Sequence, residues 1–317
     1  RNEDVTATLY RAWEPTAPAA AADLSTKVNR VCAAFLAALT AADERRYLSS
    51  ILTAHVRQVP PDLEGGLAVL RKYLAMDAAL ADEACKYIIF LVPADELYKV
   101  ALGMYDLELA LQIAQHSPRD PREYVPFLRE LRAKTPPAYQ RFFIDDHLGR
   151  HGKALRSLAL AGESYADEAL AYMVQHKIYR EGLAAWAHTP RLPQVYGLFG
   201  DYLSAHQRPA EAATAFQLAH RPGDALRAFR EADQWAQALT VALEMQLPRA
   251  ELVQLAHDMS EQLEEQHKYE AAARVLLQVQ EAESGIALLC RAHAFVDAQL
   301  ACAAQGRHDL LETHVAP

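Results

Sequence analysis

Hydrophobic side chains recur along most of the chain with the spacing of an amphipathic helix. The pattern begins with a stripe at positions i, i+3, i+4, i+7, i+8 and i+11, formed by Val28, Val31, Cys32, Phe35, Leu36 and Leu39. That periodicity is typical of a helix with one buried face. Similar stripes follow one another to the C-terminus, and no alternating run of β-branched residues indicates a strand. The pattern predicts about 20 helices in series and an all-α fold.

Short breaks separate these stripes. They fall at Pro60-Pro61, Gly65-Gly66, Ser117-Pro118, Pro136-Pro137, Thr189-Pro190, Arg221-Pro222-Gly223 and Leu247-Pro248. Residues 1–26 precede the periodic region and contain Pro15, Pro18 and a run of alanines. We interpret residues 1–26 as an N-terminal segment and flexible linker, and residues 27–317 as a helical solenoid with a candidate sub-boundary near 117–137.

One helix start is specified in detail by its residues. Asp120 is suited to accept a hydrogen bond from a free amide of the first turn, and Pro121 has no amide hydrogen to leave unpaired there. Glu123 stands where a capping box places an acidic residue. Pro126 follows inside the same predicted helix and should remove one backbone hydrogen bond.

The C-terminal half contains an internal repeat. Glu211-Ala212-Ala213 recurs 59 residues later as Glu270-Ala271-Ala272, and Trp235-Ala236-Gln237-Ala238 recurs 60 residues later as Phe295-Val296-Asp297-Ala298. About four helices fill each interval, so the unit is a helix pair of roughly 30 residues, close to the 34-residue tetratricopeptide period. We therefore expect a tetratricopeptide-like, right-handed solenoid in which Trp235 and Phe295 are buried between helix pairs. An irregular helical bundle is the alternative.

Composition narrows the function classes. The chain has 317 residues, of which 61 are Ala, 43 are Leu, 12 are Gly and 2 are Asn. This excess of helix formers over turn residues argues against sheet-rich folds and nucleotide-binding α/β folds. Apolar runs such as Tyr87–Val92 are far shorter than the roughly 20 residues that span a bilayer, so no membrane contact is expected. Because the first residue is Arg1, we expect a fragment or a processed chain.

Charge and cysteine content add two expectations. The net charge of −9 argues against a chain that wraps nucleic acid over its whole surface. The four cysteines, Cys32, Cys85, Cys290 and Cys302, lie far apart and form no CxxC pair. We expect reduced, buried thiols in an intracellular protein.

No constellation of residues predicts catalysis or a cofactor. His147 and His151 have the i, i+4 spacing of two zinc ligands on one helix face, but Leu148 stands where an H-E-x-x-H motif has Glu. The hypothesis that the chain is a hydrolase or a metalloprotein is therefore supported by this histidine pair alone. We expect no metal site, and we expect the adjacent carboxylates Asp145 and Asp146 to lie on a solvated helix face.

The segment from Arg119 to Arg156 is basic, with nine Lys or Arg residues against five acidic ones. Helical spacing places Arg129 and Arg132 one turn apart, and likewise Lys153 and Arg156. The segment is either a solvated surface or a contact for an acidic partner such as RNA phosphates. The candidate residues for such a contact are Arg129, Arg132, Lys134, Arg141, Arg150, Lys153 and Arg156.

The same segment carries a family resemblance. Asp120-Pro121-Arg122-Glu123-Tyr124-Val125-Pro126-Phe127-Leu128, followed by Tyr139-Gln140-Arg141-Phe142 and Ile144-Asp145, resembles the largest subunit of the Elongator complex. Further matching blocks include Lys86-Tyr87-Ile88-Ile89-Phe90-Leu91-Val92, Gly103-Met104-Tyr105-Asp106 and Asp233-Gln234-Trp235-Ala236-Gln237-Ala238-Leu239. The resemblance covers nearly the whole chain and is weakest at residues 16–26 and 187–195.

The resemblance implies a helical solenoid that follows two β-propellers in the complete subunit. It implies a non-catalytic scaffold without cofactors, in a complex that modifies the wobble uridine (position 34) of tRNA through chemistry in another subunit. The implied partners are the propeller subunit, the catalytic subunit and tRNA in the assembled complex, with homodimerisation through regions outside this chain. The implied location is the cytoplasm, with the nucleus as a second compartment. A scaffold of a membrane-traffic or ciliary coat is the alternative, since those proteins also join propellers to solenoids.

Overall fold

The described part of the chain folds into helices joined by short turns. A computed structural model describes residues 18–307 and residue 309, with side chains from residue 24 onward. These residues form nineteen α-helices and one short 3-10 helix, Glu163–Tyr165, and no strand. The α-helices are α1 Pro18–Asp43, α2 Leu48–Val56, α3 Leu63–Met76, α4 Ala78–Leu91, α5 Ala94–Gly103, α6 Leu107–Gln115, α7 Pro121–Ala133, α8 Pro137–His147, α9 His151–Ala159, α10 Ala166–His176, α11 Tyr179–Ala185, α12 Leu192–Ala205, α13 Pro209–Leu218, α14 Pro222–Glu231, α15 Trp235–Glu244, α16 Arg249–Glu265, α17 Tyr269–Gln278, α18 Ala282–Arg291 and α19 Phe295–Gln305.

Helix α1 begins within the segment that the sequence predicted to be a linker. It starts at Pro18, and its first turns consist of the alanine run that follows. Alanine has the highest helix propensity of all residues, so this run continues the periodic helix toward the N-terminus. The rest of the predicted linker, residues 1–17, lies outside the described residues.

Most predicted breaks separate helices, and the predicted helix start at Asp120 is confirmed. The Asp120 carboxylate accepts a hydrogen bond from the Arg122 amide at 2.8 Å, and Pro121 is the first residue of α7. The predicted break at Gly65-Gly66 is wrong, because both glycines lie in the first turns of α3. A Cβ atom at Gly65 would stand 2.7 Å from the His55 ring, so glycine is required there for close packing.

The structure divides into two compact units, residues 1–169 and residues 170–317. In each unit the helices pack mainly against helices that are close in sequence. The first core is built around fully buried Leu67, Leu97 and Ile113, and the second around Phe216, Val275 and Ile286. Within the first unit α5 also contacts α8, across a longer stretch of sequence.

No helix among the described residues combines the length and apolar character needed to cross a membrane.

The internal repeat is present, with one correction to its register. Helices α17, α18 and α19 begin 60 residues after α13, α14 and α15 respectively. Ala212 and Ala213 of α13 are fully buried, and so are Ala272 and Ala273 of α17. The alanine pairs therefore also repeat at 60 residues, and the offset of 59 derived from Glu211 is wrong by one.

The turns between repeat helices use left-handed backbone at residues other than glycine. Positive φ angles occur at Gln207, His220, Asp233 and Gln246, which are spaced 13 residues apart, and again at His267, Gln280 and His293. At His220 the next amide, that of Arg221, donates to the Phe216 carbonyl at 3.0 Å. This is the bond of a Schellman motif, which satisfies a carbonyl at the end of the helix. The motif repeats after α12, α13, α14, α16, α17 and α18.

The predicted equivalence of Trp235 and Phe295 holds for position but not for burial. Trp235 is partly buried against the second core and lies near Met259 and Leu263 of the following helix, α16. Phe295 is 46% exposed. The packing predicted for Phe295 on its C-terminal side would involve residues beyond 309, which lie outside the described residues.

Candidate functional site

The seven candidate basic residues lie on α7, α8, α9 and the residues that join them, all within the first unit. Three of them, Lys134, Arg141 and Arg150, pack on an aromatic ring or on a glycine of another segment. The Lys134 ammonium lies 3.1 Å from the Glu130 carboxylate and 4.2 Å from the centre of the Phe143 ring. The Arg141 guanidinium lies 5.2 Å from the centre of the Tyr105 ring. The Arg150 guanidinium covers the Cα atom of Gly103, where a Cβ atom would overlap it.

Arg141 and Arg150 flank a buried hydrogen bond between α8 and the residues that follow α5. The Tyr105 hydroxyl donates to Asp145 Oδ2 at 2.8 Å, and Asp145 is 0% exposed. Asp145 was predicted to lie on a solvated face, and that prediction is wrong. Its other oxygen, Oδ1, is buried without a hydrogen-bond partner among the described residues. Burial, and next the hydrogen bond to Asp145, raise the pKa of Tyr105 above its usual value.

This hydrogen bond joins two of the sequence blocks that carry the family resemblance. Tyr105 belongs to the block that begins at Gly103, and Asp145 belongs to the block that begins at Tyr139. Helical periodicity gives information about residues within a single helix, so it could not show that α5 and α8 are in contact. The sequence signal that could have located the contact is Gly103 at the end of α5, because a glycine in a helix weakens it unless a neighbour approaches closely.

The other four candidate residues, Arg129, Arg132, Lys153 and Arg156, are exposed. Arg132 makes an ion pair with Glu108 at 3.6 Å, and both side chains are mostly exposed. Arg156 Nε donates to the Gly152 carbonyl oxygen at 3.2 Å. Within residues 18–307, Arg129, Lys153 and Arg156 have no carboxylate partner. These four residues form two exposed pairs, one on α7 and one on α9. Arg141 is also exposed, but its guanidinium packs on the Tyr105 ring.

The pair on α7 borders an apolar groove. Arg129 and Arg132 line it together with Leu107 and Leu111 of α6 and Val125 of α7. The groove encloses about 280 Å³. The pair on α9, Lys153 and Arg156, is not among the residues that line it.

The predicted face shared by His147 and His151 does not exist. His147 is the last residue of α8 and His151 is the first residue of α9, and Gly149 between them has a φ of +68°. The His147 ring packs 4.6 Å from the ring of Phe127. Since the two histidines belong to different helices, the i, i+4 spacing gives no support to a zinc motif.

Comparison with protein families divides the chain in two. Residues 1–131 match a model described as the ELP1 alpha-solenoid, and residues 139–300 match one described as the ELP1 TPR domain. Residues 132–138 separate the two matches. The matches confirm the tetratricopeptide-like solenoid, and they do not favour the coat-complex alternative.

Individual relatives agree with the family models. Elongator complex protein 1 of Mus musculus is 34% identical over 332 residues, covering 100% of this chain and 24% of that protein. Elongator complex protein 1 of Saccharomyces cerevisiae is 32% identical over 299 residues, covering 92% of this chain and 22% of that protein. Putative elongator complex protein 1 of Xenopus laevis is 34% identical, covering 100% of this chain and 28% of that protein. The chain thus spans about a quarter of the length of these relatives.

Proposed function

The chain belongs to the Elongator complex protein 1 family, and on that premise we propose that it is a non-catalytic scaffold segment of an Elongator complex. The observation that carries the proposal is the match of two consecutive ELP1 solenoid models to an uninterrupted series of helices. Each repeat in such a series buries only the faces turned toward its neighbours, so long outer faces stay open to other subunits. An array of this kind is suited to holding partners at fixed distances.

The scaffold would act in the modification of wobble uridine (position 34) in tRNA. In this proposal the chemistry belongs to a separate catalytic subunit, and this chain holds that subunit and the propeller subunit in one assembly. The complete protein forms a homodimer through regions outside this chain, and the complex works in the cytoplasm, with the nucleus as a second compartment. Support comes from the family membership and from the resemblance of the two blocks at Asp120 and Tyr139.

We assign an auxiliary tRNA contact to the exposed pair on α9. Lys153 and Arg156 have no carboxylate partner among residues 18–307, so their charge is available to an external anion. Such side chains would contact RNA phosphates and add affinity with little sequence preference. The double variant Lys153→Glu/Arg156→Glu in the assembled complex should lower tRNA affinity and reduce its dependence on salt concentration.

Affinity capture of the full-length protein from its own cells tests the scaffold assignment. We expect the Elongator propeller and catalytic subunits in the captured material, in constant ratio to this protein. Coat-complex subunits in their place would refute the assignment. For the α9 pair, unchanged tRNA affinity in a fully assembled double variant would show that the two charges only solvate the helix.

A further inference from the structure

The apolar groove between α6 and α7 has the composition of a docking site for a protein helix. Its floor consists of partly buried aliphatic side chains, Leu107, Leu111 and Val125, which pack on the first core from one side. Leu128 closes the floor and is nearly fully buried, and the exposed Gln115 stands at one end. Binding is favourable when another aliphatic surface displaces water from side chains of this kind, because burial of apolar surface lowers the free energy.

The rim of the groove is positively charged. Arg129 and Arg132 line it, and Arg129 has no acidic partner among the described residues. Arg122 is also exposed and belongs to the same helical stripe, since 122, 125, 129 and 132 are separated by three, four and three positions. Among the described residues, Glu108 is the acid that forms an ion pair with this rim, at the long distance of 3.6 Å from Arg132. A bound segment with carboxylates beside the arginines would complement this charge.

We propose that this groove binds an amphipathic, acidic helix of another protein chain. Leu107, Leu111 and Gln115 follow one another at i, i+4 and i+8, so the groove is about 12 Å long and accommodates roughly two to three helical turns. The bound helix would place aliphatic residues at i, i+3 or i+4, and i+7 over the floor. Its Asp or Glu residues would lie against Arg129 and Arg132.

The floor favours a protein over RNA as the occupant. Single-stranded RNA is bound through aromatic side chains on which its bases stack, and the residues that line this groove include none. Aliphatic floors are typical of grooves that hold a helix. The inference rests on the proposed scaffold role, because it assigns one subunit contact to a specific place on the scaffold.

A photo-crosslinker placed at Gln115 in the full-length protein tests the groove directly. Gln115 is exposed, uncharged and on the groove wall, so benzoylphenylalanine there preserves the fold and the arginines. The complex is captured after irradiation, and the cross-linked peptide is sequenced by mass spectrometry. Benzoylphenylalanine at Phe90, which is 86% exposed on α4 and outside the groove, serves as the matched control.

We expect the Gln115 cross-link to join an acidic, amphipathic segment of a different protein, and the Phe90 control not to join that segment. Reversing the rim with Arg129→Glu/Arg132→Glu should lower the cross-link yield roughly tenfold or more, because like charges would then face each other. The control double variant Arg180→Glu/Arg249→Glu, at exposed positions of the second unit, should leave the yield unchanged.

Several outcomes would overturn the groove assignment. They are a cross-link to RNA, to a basic segment or to this chain itself, no cross-link at Gln115, or a yield insensitive to the rim reversal. Co-purification of the other subunits, measured in the same captured material, reports on the scaffold role. A complex that assembles without the expected cross-link therefore refutes the groove alone.

Discussion

The Tyr105 hydroxyl donates a hydrogen bond of 2.8 Å to Asp145 Oδ2, across 40 residues of sequence. Asp145 is fully buried, and Oδ2 accepts the one hydrogen bond that its carboxylate receives within the described part of the chain. The pair connects the segment that follows α5 to helix α8. This connection is a specific point at which the fold can be weakened.

Replacing Tyr105 with Phe should destabilise the first unit. The variant leaves a buried carboxylate without a hydrogen-bond donor, which costs about 1–3 kcal/mol of unfolding free energy. Tyr98→Phe is the matched control, because the Tyr98 hydroxyl is buried without a partner and its removal should be neutral or stabilising. Urea denaturation of the purified chain measures both values. Equal stabilities for the two variants would show that the Tyr105–Asp145 bond contributes nothing.

The same hydrogen bond gives stability a dependence on alkaline pH. The pKa of Tyr105 lies above its usual value of 10 in the folded chain, because burial and Asp145 both disfavour the phenolate. Above pH 10 the unfolded chain therefore loses this proton before the folded chain does, and folding becomes less favourable. The stability difference between the native sequence and Tyr105→Phe should be constant below pH 9 and should shrink as the pH rises past about 10. A difference that grows with pH would contradict the assigned direction.

Replacing His220 with Gly should stabilise the second unit. His220 has a φ of 56°, a left-handed conformation that disfavours residues with a Cβ atom. Glycine removes that penalty but has more conformational entropy in the unfolded chain, which offsets part of the benefit. We expect the free energy of unfolding to rise by about 1 kcal/mol. His220→Ala keeps the Cβ atom and should bring no such gain. Thermal unfolding distinguishes the two, and a less stable glycine variant would show that the His220 side chain itself contributes.

Truncating Trp235 to Ala should loosen the repeats around it. Because Trp235 is only partly buried beside Met259 and Leu263, we expect its truncation to lower the free energy of unfolding by about 3 kcal/mol. That is the low end of the cost for truncating a buried aromatic residue to Ala. The loss should be local, because stability in a repeat array comes from neighbouring units. Hydrogen exchange should speed up across residues 209–265 more than in the first unit. Phe295→Ala, at the exposed equivalent position, should change exchange far less, and equal effects would refute the difference in packing.

Periodicity and caps were enough to predict the helical class and several helix boundaries. The stripe beginning at Val28 and the cap at Asp120 each depend on residues within a few positions of one another, and both correctly predicted a helix. The buried face expected of the Val28 stripe forms only in part, since Val31 and Phe35 are exposed. The glycines at the start of α3 were misread as a break, because the sequence does not show that His55 approaches Gly65. The turns of the repeats could not be located from glycine or asparagine, since they adopt left-handed backbone at other residues such as His220 and Asp233.

The candidate surface was predicted only in part. Spacing placed Arg129 with Arg132 and Lys153 with Arg156, and all four side chains are exposed. Spacing could not show that Arg150 covers Gly103 or that Asp145 is buried, because both depend on the contact between α5 and α8. The aliphatic floor beneath Arg129 could not be predicted either, because its residues come from two different helices, α6 and α7.

The scaffold role is tested most directly by measuring tRNA modification and complex assembly in the same cells. Cells whose only copy of the full-length protein carries Trp235→Ala, Tyr105→Phe or the native sequence are compared for the captured catalytic subunit and for modified wobble uridine, quantified by nucleoside mass spectrometry. A scaffold predicts that the modification falls in proportion to the catalytic subunit retained in the complex. Loss of the modification in a complex that keeps its full complement of subunits would contradict a role limited to holding the catalytic subunit in the assembly.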